Sequence, residues 1–394
     1  MLHLRGFFPL RRARWCTSGA GAALAYTWPV TDPASLVRAT VRDLEPYSWE
    51  LSTEDVARRH GLTPGRVVRF DLNTSPFRPP VWEEAMEEAR LEAMPQEYFD
   101  TAYAELTPLF ARYCGVGEDQ IVVGAGADEI LDIVSKTLLD NGDAAVLTPP
   151  TYSMYGIVTA QMGAVLRQVP LAEGFAIDLP ATLGAARGAK LLWHCNPNSP
   201  TGTATPPETL RRLVAEAPCM VVIDEAYAEY AGRSAVDLVA DHPNLIVVRT
   251  MSKAFSMAGM RLAWAVAAPE VVDLLHRVRP PNSVSRVTAR LGAMALRDLE
   301  GMRANVQSVL AQREPLADAL RELGAKVHPS VTNFLLTDWG SPEAAQAVYD
   351  HLESRGMVVR NLAGNPLLPG HLRITVRSAE ENARLVEALA ERAR

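Results

Sequence analysis

The sequence predicts an α/β fold: a mostly parallel mixed sheet between helices, followed by a smaller C-terminal α+β domain. Two observations carry this. Four short apolar runs, at residues 144–147, 190–194, 219–223 and 245–248, each lead into a polar loop, and near-continuous apolar runs of this length are how strands buried on both faces read. Beyond residue 282 the text changes to long helical stretches alternating with short strands.

The 394 residues, 48% of them hydrophobic, allow one large or two moderate domains with a sizeable core. A formal charge of −7 with no basic run argues against a nucleic-acid surface. Cys16, Cys114, Cys195 and Cys219 show neither metal-ligand spacing nor a disulfide pattern, which fits a reducing, cytoplasmic setting and no metal site. No run reaches eighteen apolar residues, so no membrane span is expected.

Residues 1–31 carry Arg5, Arg11, Arg12 and Arg14 and no acidic residue before Asp32. That composition suits a targeting segment, but the apolar part is short and the arginine pair lacks a twin-arginine context. The favoured reading is a disordered extension over 1–35, or a start codon placed too early. Next, Ser52 or Thr53 caps a short helix ending at Gly61, and residues 70–80 lead into a helix from Val81. Residues 120–129 read as strand, glycine turn and helix, and backbone amides at the start of such a helix form an anion site. Asp128 and Glu129 also favour that helix start electrostatically. The strand at 144–147 runs into Thr-Pro-Pro-Thr-Tyr152, and Tyr155 reads as core.

Three strand-end loops then carry an amide, a carboxylate and a lysine. After residues 190–194 comes Asn196-Pro-Asn198-Ser199-Pro-Thr-Gly. After residues 219–223 comes Asp224, with Tyr227 three residues on. A carboxylate there is what a pyridine nitrogen needs to stay protonated, though Asp224 also suits a helix N-cap. After residues 245–248 come Thr250, Ser252, Lys253 and, eight positions later, Arg261. A desolvated lysine at a strand end has a lowered pKa and can form a Schiff base, for which pyridoxal 5'-phosphate is the commonest partner. Thr250, Ser252 and Arg261 read as ligands for its phosphate.

The C-terminal part reads as a helix at 270–279, one continuous helical stretch over 283–322, a strand at 331–336, a helix at 342–354, strands at 357–360 and 371–376, and a last helix at 379–392. Arg373 lies in the apolar stretch Leu-Arg-Ile-Thr-Val, where an unpaired guanidinium is costly. It is read either as awaiting a carboxylate or as part of a structural salt bridge. Arg360 lies thirteen residues earlier and reads as a second anion contact or a surface charge.

Asn-Pro-Asn-Ser-Pro-Thr-Gly, Asp-Glu-Ala-Tyr and Ser-Lys-Ala-Phe-(four residues)-Gly-Met-Arg, in that order, resemble the fold-type I pyridoxal-phosphate aminotransferases, and within them the histidinol-phosphate aminotransferase branch. The resemblance runs from about Leu36 to the C-terminus. It implies an N-terminal arm making dimer contacts at 36–80, a large cofactor domain at 81–282, a small domain at 283–394, and a homodimer with active sites at the interface. It also implies that Gly126, Ala127 and Asp128 cradle the phosphate and that Tyr152 stacks on the cofactor ring. Tyr227 and Asn198 would address the ring's 3-oxygen, with Ser199 as the alternative because it stands where the family has asparagine. Arg373 and Arg360 would bind substrate, and Tyr47 and Phe77 would approach the partner's site. Thr74, Ser75 and Arg78 depart from the family's Asn-Glu-Asn-Pro-Tyr/Phe-Gly-Pro segment, and Phe77 lacks the phenol a tyrosine would offer. The implied activity is ping-pong transfer of an amino group from histidinol phosphate or an aromatic amino acid to a 2-oxo acid such as 2-oxoglutarate. A lyase resembling phosphothreonine decarboxylase shares the scaffold and is the alternative.

Overall fold

The computed structural model describes residues 32–42, 44, 51–92 and 96–392. Residues 1–43 and 44–394 form two units. The described part of the first holds a 3-10 turn, Pro33–Leu36, capped by Asp32, and one helical turn, Ala39–Arg42.

Among the described residues, the strands lie in the second unit. In chain order they are β1 (Val68–Phe70), β2 (Ile121–Gly124), β3 (Ala144–Leu147), β4 (Val165–Gln168), β5 (Leu191–Cys195), β6 (Met220–Asp224), β7 (Leu245–Thr250), β8 (Ala263–Ala267), β9 (Lys326–Val327), β10 (Phe334–Asp338), β11 (Met357–Asn361) and β12 (His371–Thr375). Strands β2 to β8 form a seven-stranded sheet in the order β2-β8-β7-β6-β5-β3-β4. Only β8 runs against its neighbours; the other pairings are parallel.

Successive residues of these strands feed two cores. Val221, Ile223 and Val247 pack on one side of the sheet, while Val222, Ile246 and Val248 pack on the other. Because both faces are covered, the strands have no solvent side on which to place polar residues, which is why they read as unbroken apolar runs. The sheet order reverses at β3, with β4 on one side and β5 on the other. Ligands of open α/β sheets bind outside the carboxyl ends of the strands near such a reversal.

The second sheet has five strands in the order β1-β11-β12-β10-β9. Its β1 comes from the N-terminal side and pairs in parallel with β11, while the remaining pairings are antiparallel. Helices flank it where caps and apolar periodicity place them. Ser52 caps Thr53–His60, which Gly61 ends at φ 65°, and Ser341 caps Pro342–Ser354.

Three boundaries differ from the sequence reading. The helix expected at 270–279 spans Pro269–His276 and ends where the Arg277 amide caps it against the Leu274 and Leu275 carbonyls. Residues 283–322 are not one helix: Arg286–Arg297 and Leu299–Glu322 meet at Asp298, whose φ of −105° and ψ of 64° break the first and whose carboxylate caps the second through the Gly301 amide. Strand β10 starts at Phe334 rather than 331. There Ser330 Oγ accepts from the Thr332 amide and Thr332 Oγ1 from the Phe334 amide, so local hydroxyl turns hold the backbone out of the ladder. No helix among the described residues is long and apolar enough to cross a membrane.

Candidate active site

A cavity of about 360 Å³ opens outside the carboxyl ends of β5, β6 and β7. Strand β7 delivers Thr250, Ser252 and Lys253 to it, and β6 delivers Asp224 and Tyr227. The Lys253 amine donates to the Leu72 carbonyl at 3.1 Å and stands 5.8 Å from the centre of the Tyr227 ring. Burial draws this amine down to about 8, with Arg373 and Arg261 acting in the same sense and Asp128 against them. Roughly a tenth of it is therefore uncharged at pH 7, against well under a thousandth at the ordinary value of 10.5.

Asp224 is buried. Its carboxylate accepts from the Tyr155 hydroxyl at 2.8 Å and from the Ala226 amide at 3.0 Å. These bonds favour the charged form, yet burial outweighs them and pushes the carboxyl up to about 6. Asp224 takes part in no ion pair among the described residues, and the Lys253 amine acts on its charge only as a minor influence. A protonated ring nitrogen would supply a cationic partner, which fits a cofactor contact better than a helix cap.

At another wall, the helix Ala127–Leu138 begins at Gly126, which offers no side-chain cap. Gly126 has φ 88°, and a Cβ there would lie 2.5 Å from Arg261 Nη2. Glycine therefore lets the guanidinium close against the helix start. Arg261 pairs with Asp128 at 3.1 Å, and Asp128 also accepts from the Tyr152 hydroxyl at 2.9 Å. Thr250 Oγ1 lies 3.0 Å from Ser252 Oγ and 3.1 Å from the Ser252 amide. Free amides at a helix start, two hydroxyls and a guanidinium form a donor set suited to a phosphate.

Arg373 reaches the cavity from β12. Its Nη1 donates to Ser199 Oγ at 3.1 Å and its Nη2 to the Asp71 carbonyl at 2.5 Å, while Nε has no hydrogen-bond partner. Burial lowers its pKa below the ordinary guanidinium value; the Tyr227 phenol works against that and Arg360 with it.

Two placements depart from the sequence reading, and a third residue has none. Asn198 does not reach the cavity: its amide donates to the Pro150 carbonyl and Thr201 Oγ1, and its oxygen accepts from Thr151. Those bonds brace the loop and leave Ser199 on the cavity wall. Arg360 is the Cα partner of Arg373 across β11 and β12, but it lines a separate space of about 130 Å³. Asp71 lies on the wall of both spaces. Tyr47 lies outside the described residues.

Residues 66–389 match the family model for class I and II aminotransferases. The chain belongs to that family. It is 37% identical over 371 residues to a histidinol-phosphate aminotransferase of Roseiflexus castenholzii, covering 91% of this chain and 99% of that protein. It is 38% identical over 361 residues to one of Symbiobacterium thermophilum, covering 90% and 98%. A crystal structure of the Sinorhizobium meliloti histidinol-phosphate aminotransferase in complex with pyridoxal-5'-phosphate superposes with a TM-score of 0.83 at 28% identity, covering 91% of this chain and 97% of that one.

The aminotransferase site also contains groups that sequence reasoning missed. Asn73, at φ 52°, donates from Nδ2 to the Tyr227 hydroxyl at 3.0 Å and accepts from Thr375 Oγ1 at 3.1 Å, tying the Asp71–Thr74 stretch to both sheets. Tyr155 is core, as expected, and stacks on Trp193, but its hydroxyl also fixes Asp224. Tyr155 lies in the first turn of the helix Met154–Gln161, three residues beyond Tyr152 in the preceding loop. Nothing local marks Asn73, because its partners lie 154 and 302 residues away.

Proposed function

We propose that this aminotransferase binds pyridoxal 5'-phosphate in the Lys253 cavity and transfers an amino group from histidinol phosphate to a 2-oxo acid such as 2-oxoglutarate, in two ping-pong half-reactions. The observation that carries the reading is a lysine drawn down to about 8 in the same cavity as a buried carboxylate that has no ion pair among the described residues. The names of the relatives support the choice of donor.

The residues fit the cofactor at both ends. Thr250, Ser252, Arg261 and the amides beyond Gly126 would hold the phosphate, and Asp224 would keep a proton on the ring nitrogen. Tyr227 and Ser199 would address the ring oxygen, and Tyr152 would lie against the ring. When bound, the cofactor supplies an electron-accepting ring that stabilises the charge left when a proton leaves the substrate's amine-bearing carbon. Lys253 takes that proton and returns it to the neighbouring position as general base and acid. Tyr155 holds the Asp224 carboxylate in place, and Asn73 orients the Tyr227 phenol. Arg373 binds the anionic group of each substrate, and Arg360 adds charge from the adjoining space.

A homodimer in the cytoplasm belongs to the same proposal, with the Phe77 region approaching the partner's site. Within its own chain Phe77 packs against the main core. Light scattering tests the dimer, and a fully active monomer at high dilution contradicts it. The substrate test is a panel of amino donors with 2-oxoglutarate, read by glutamate formation. Histidinol phosphate should give the highest kcat/KM. Release of carbon dioxide from a phosphorylated amino acid, with no need for a 2-oxo acid, would establish the decarboxylase alternative instead.

A further inference from the structure

A second group of polar side chains lies on the five-stranded sheet, outside the cavity wall. His328 follows β9, Asp338 ends β10 and His371 opens β12. Asp338 and His371 are Cα partners, Lys326 is the other Cα partner of Asp338, and the His328 amide donates to the Leu336 carbonyl. Directly opposed residues share a face, as do residues two apart on one strand. The side chains of His328, Asp338 and His371 therefore emerge on one side of the sheet from three adjacent chain segments.

Their geometry is specific. The two Nε2 atoms are 3.2 Å apart, and His371 Nδ1 lies 2.9 Å from the Pro369 carbonyl. A carbonyl only accepts, so Nδ1 carries the proton and Nε2 of the neutral ring presents a lone pair. One nitrogen from each histidine and a carboxylate oxygen of Asp338 all lie within 4.8 Å of one another. Two imidazole nitrogens bound to a tetrahedral zinc ion at about 2.0–2.1 Å stand roughly 3.3 Å apart, close to the spacing found here. The Asp338 Oδ1 atom already accepts from the Gly340 amide at 2.8 Å, which orients the carboxylate and leaves Oδ2 for a further partner.

We propose that His328, His371 and Asp338 form a binding site for a divalent first-row metal ion, Zn²⁺ foremost, with water completing a four-coordinate shell. Two imidazoles and one carboxylate are a donor set that suits zinc. The backbone carbonyl on His371 Nδ1 is the outer contact that fixes tautomer and ring direction in metal-binding histidines. His371 is buried, at 9% exposure, while His328 and Asp338 are only partly covered, so an ion has a path in from solvent. The Phe175 ring stands edge-on to His328 with centroids 5.0 Å apart and shields that side. Without metal, His328 Nε2 supplies the proton of the contact between the rings. Coordination frees that nitrogen, and the His328 proton moves to Nδ1. Arg373 lies two residues beyond His371 on the same face of β12, so a bound ion also anchors the strand that carries the cavity's arginine.

The test uses tag-free holoenzyme, stripped with a chelator and then titrated with Zn²⁺ alone. Bound metal per chain is read by elemental analysis and affinity by calorimetry, with Co²⁺ as a probe whose visible bands report coordination geometry. The expected result is one ion per chain, a rise in Tm on zinc addition, and at least about tenfold weaker binding in His328→Gln and Asp338→Asn. His371→Ala should abolish binding, and the two milder variants keep the test valid if that one fails to fold. No zinc bound by the wild type, or equal binding by the wild type and the His328→Gln/Asp338→Asn double variant, overturns the proposal and leaves a hydrogen-bonded histidine pair.

Discussion

Arg249 on β7 and Arg373 on β12 are both withdrawn from water, yet their surroundings are opposite. Arg249 meets Glu229 at 2.7 Å and Glu225 at 3.4 Å, and its guanidinium stands 5.7 Å from the ring centres of both Tyr113 and Trp264. Burial works against its charge, but Glu229 and Glu225 together outweigh burial and hold its proton well above the ordinary guanidinium range. Arg373 meets a hydroxyl and a carbonyl, pairs with no carboxylate among the described residues, and is pulled below that range. One arginine has its counter-charges built in; the other lacks them. Both follow apolar text in the sequence, so only their partners separate a structural cation from one that receives a ligand.

The largest effect expected on the Arg373 side is that of Lys253→Ala. It should lower kcat by about 10⁴-fold or more, the upper range for a general acid–base group, while apo-protein stability holds or rises because a buried amine is removed. Substantial transamination by that variant would show that the proton-transfer group lies elsewhere.

On the Arg249 side the loss should appear in stability. Arg249→Ala leaves two buried carboxylates uncompensated, which costs about 3–5 kcal/mol, while kcat per folded molecule stays close to wild type. The effect should depend on pH. Burial already pushes Glu225 up to about 7 despite Arg249, so the folded state binds this proton more tightly than the unfolded chain does. The associated stability is fully present below about 4.5 and is lost as pH rises through 7. Without Arg249 the folded value climbs further, so urea midpoints of wild type and variant should diverge more at pH 8 than at pH 5. A constant gap would mean that packing, not charge, dominates at this site.

Arg373→Ala should do the reverse. Losing charge-assisted contacts to a substrate anion costs roughly 1.5–3 kcal/mol, or about one to two decades in kcat/KM. Stability should change little, since no carboxylate is orphaned. Steady-state kinetics and urea melts on the same preparations check both halves.

How much of this was legible beforehand depends on how local each cause is. Strands β3, β6 and β7 were readable because burial on both faces writes itself into every residue of the run. Lys253, Asp224 and Tyr227 were readable because strand ends deliver them to a shared place, and Arg373 because a guanidinium inside an apolar strand is costly without a partner. The choice between Asn198 and Ser199 was not, because it turns on the bonds that Asn198 accepts from Thr151 and donates to the Pro150 carbonyl. The helix break at Asp298 was hidden inside an otherwise helical pattern. The His328, Asp338 and His371 cluster has no motif spacing, since two strands and the residue after a third assemble it.

The smallest expected effect belongs to Arg360, and it sharpens the comparison by asking how far the ligand's charge extends. Arg360 sits directly across from Arg373 in the β11–β12 ladder, and like charges so placed repel; burial is the main cause of the lowered Arg373 pKa and this repulsion adds to it. The Asp71 carboxylate lies between the two spaces, but Arg69 already holds it through both oxygens, at 2.8 and 2.6 Å. A second anion arriving with the substrate would offset the repulsion more fully than this shared aspartate does. If the donor carries a phosphate that spans from Arg373 toward Arg360, Arg360→Ala should lower kcat/KM for histidinol phosphate by about tenfold, the lower end for a charge-assisted contact. Histidinol and phenylalanine, which bring no phosphate, should lose less than about twofold, because repulsion relieved at Arg373 partly compensates for the missing charge. An equal loss with all three donors would assign Arg360 to the ladder's structure and leave Arg373 as the sole anion contact from the small sheet.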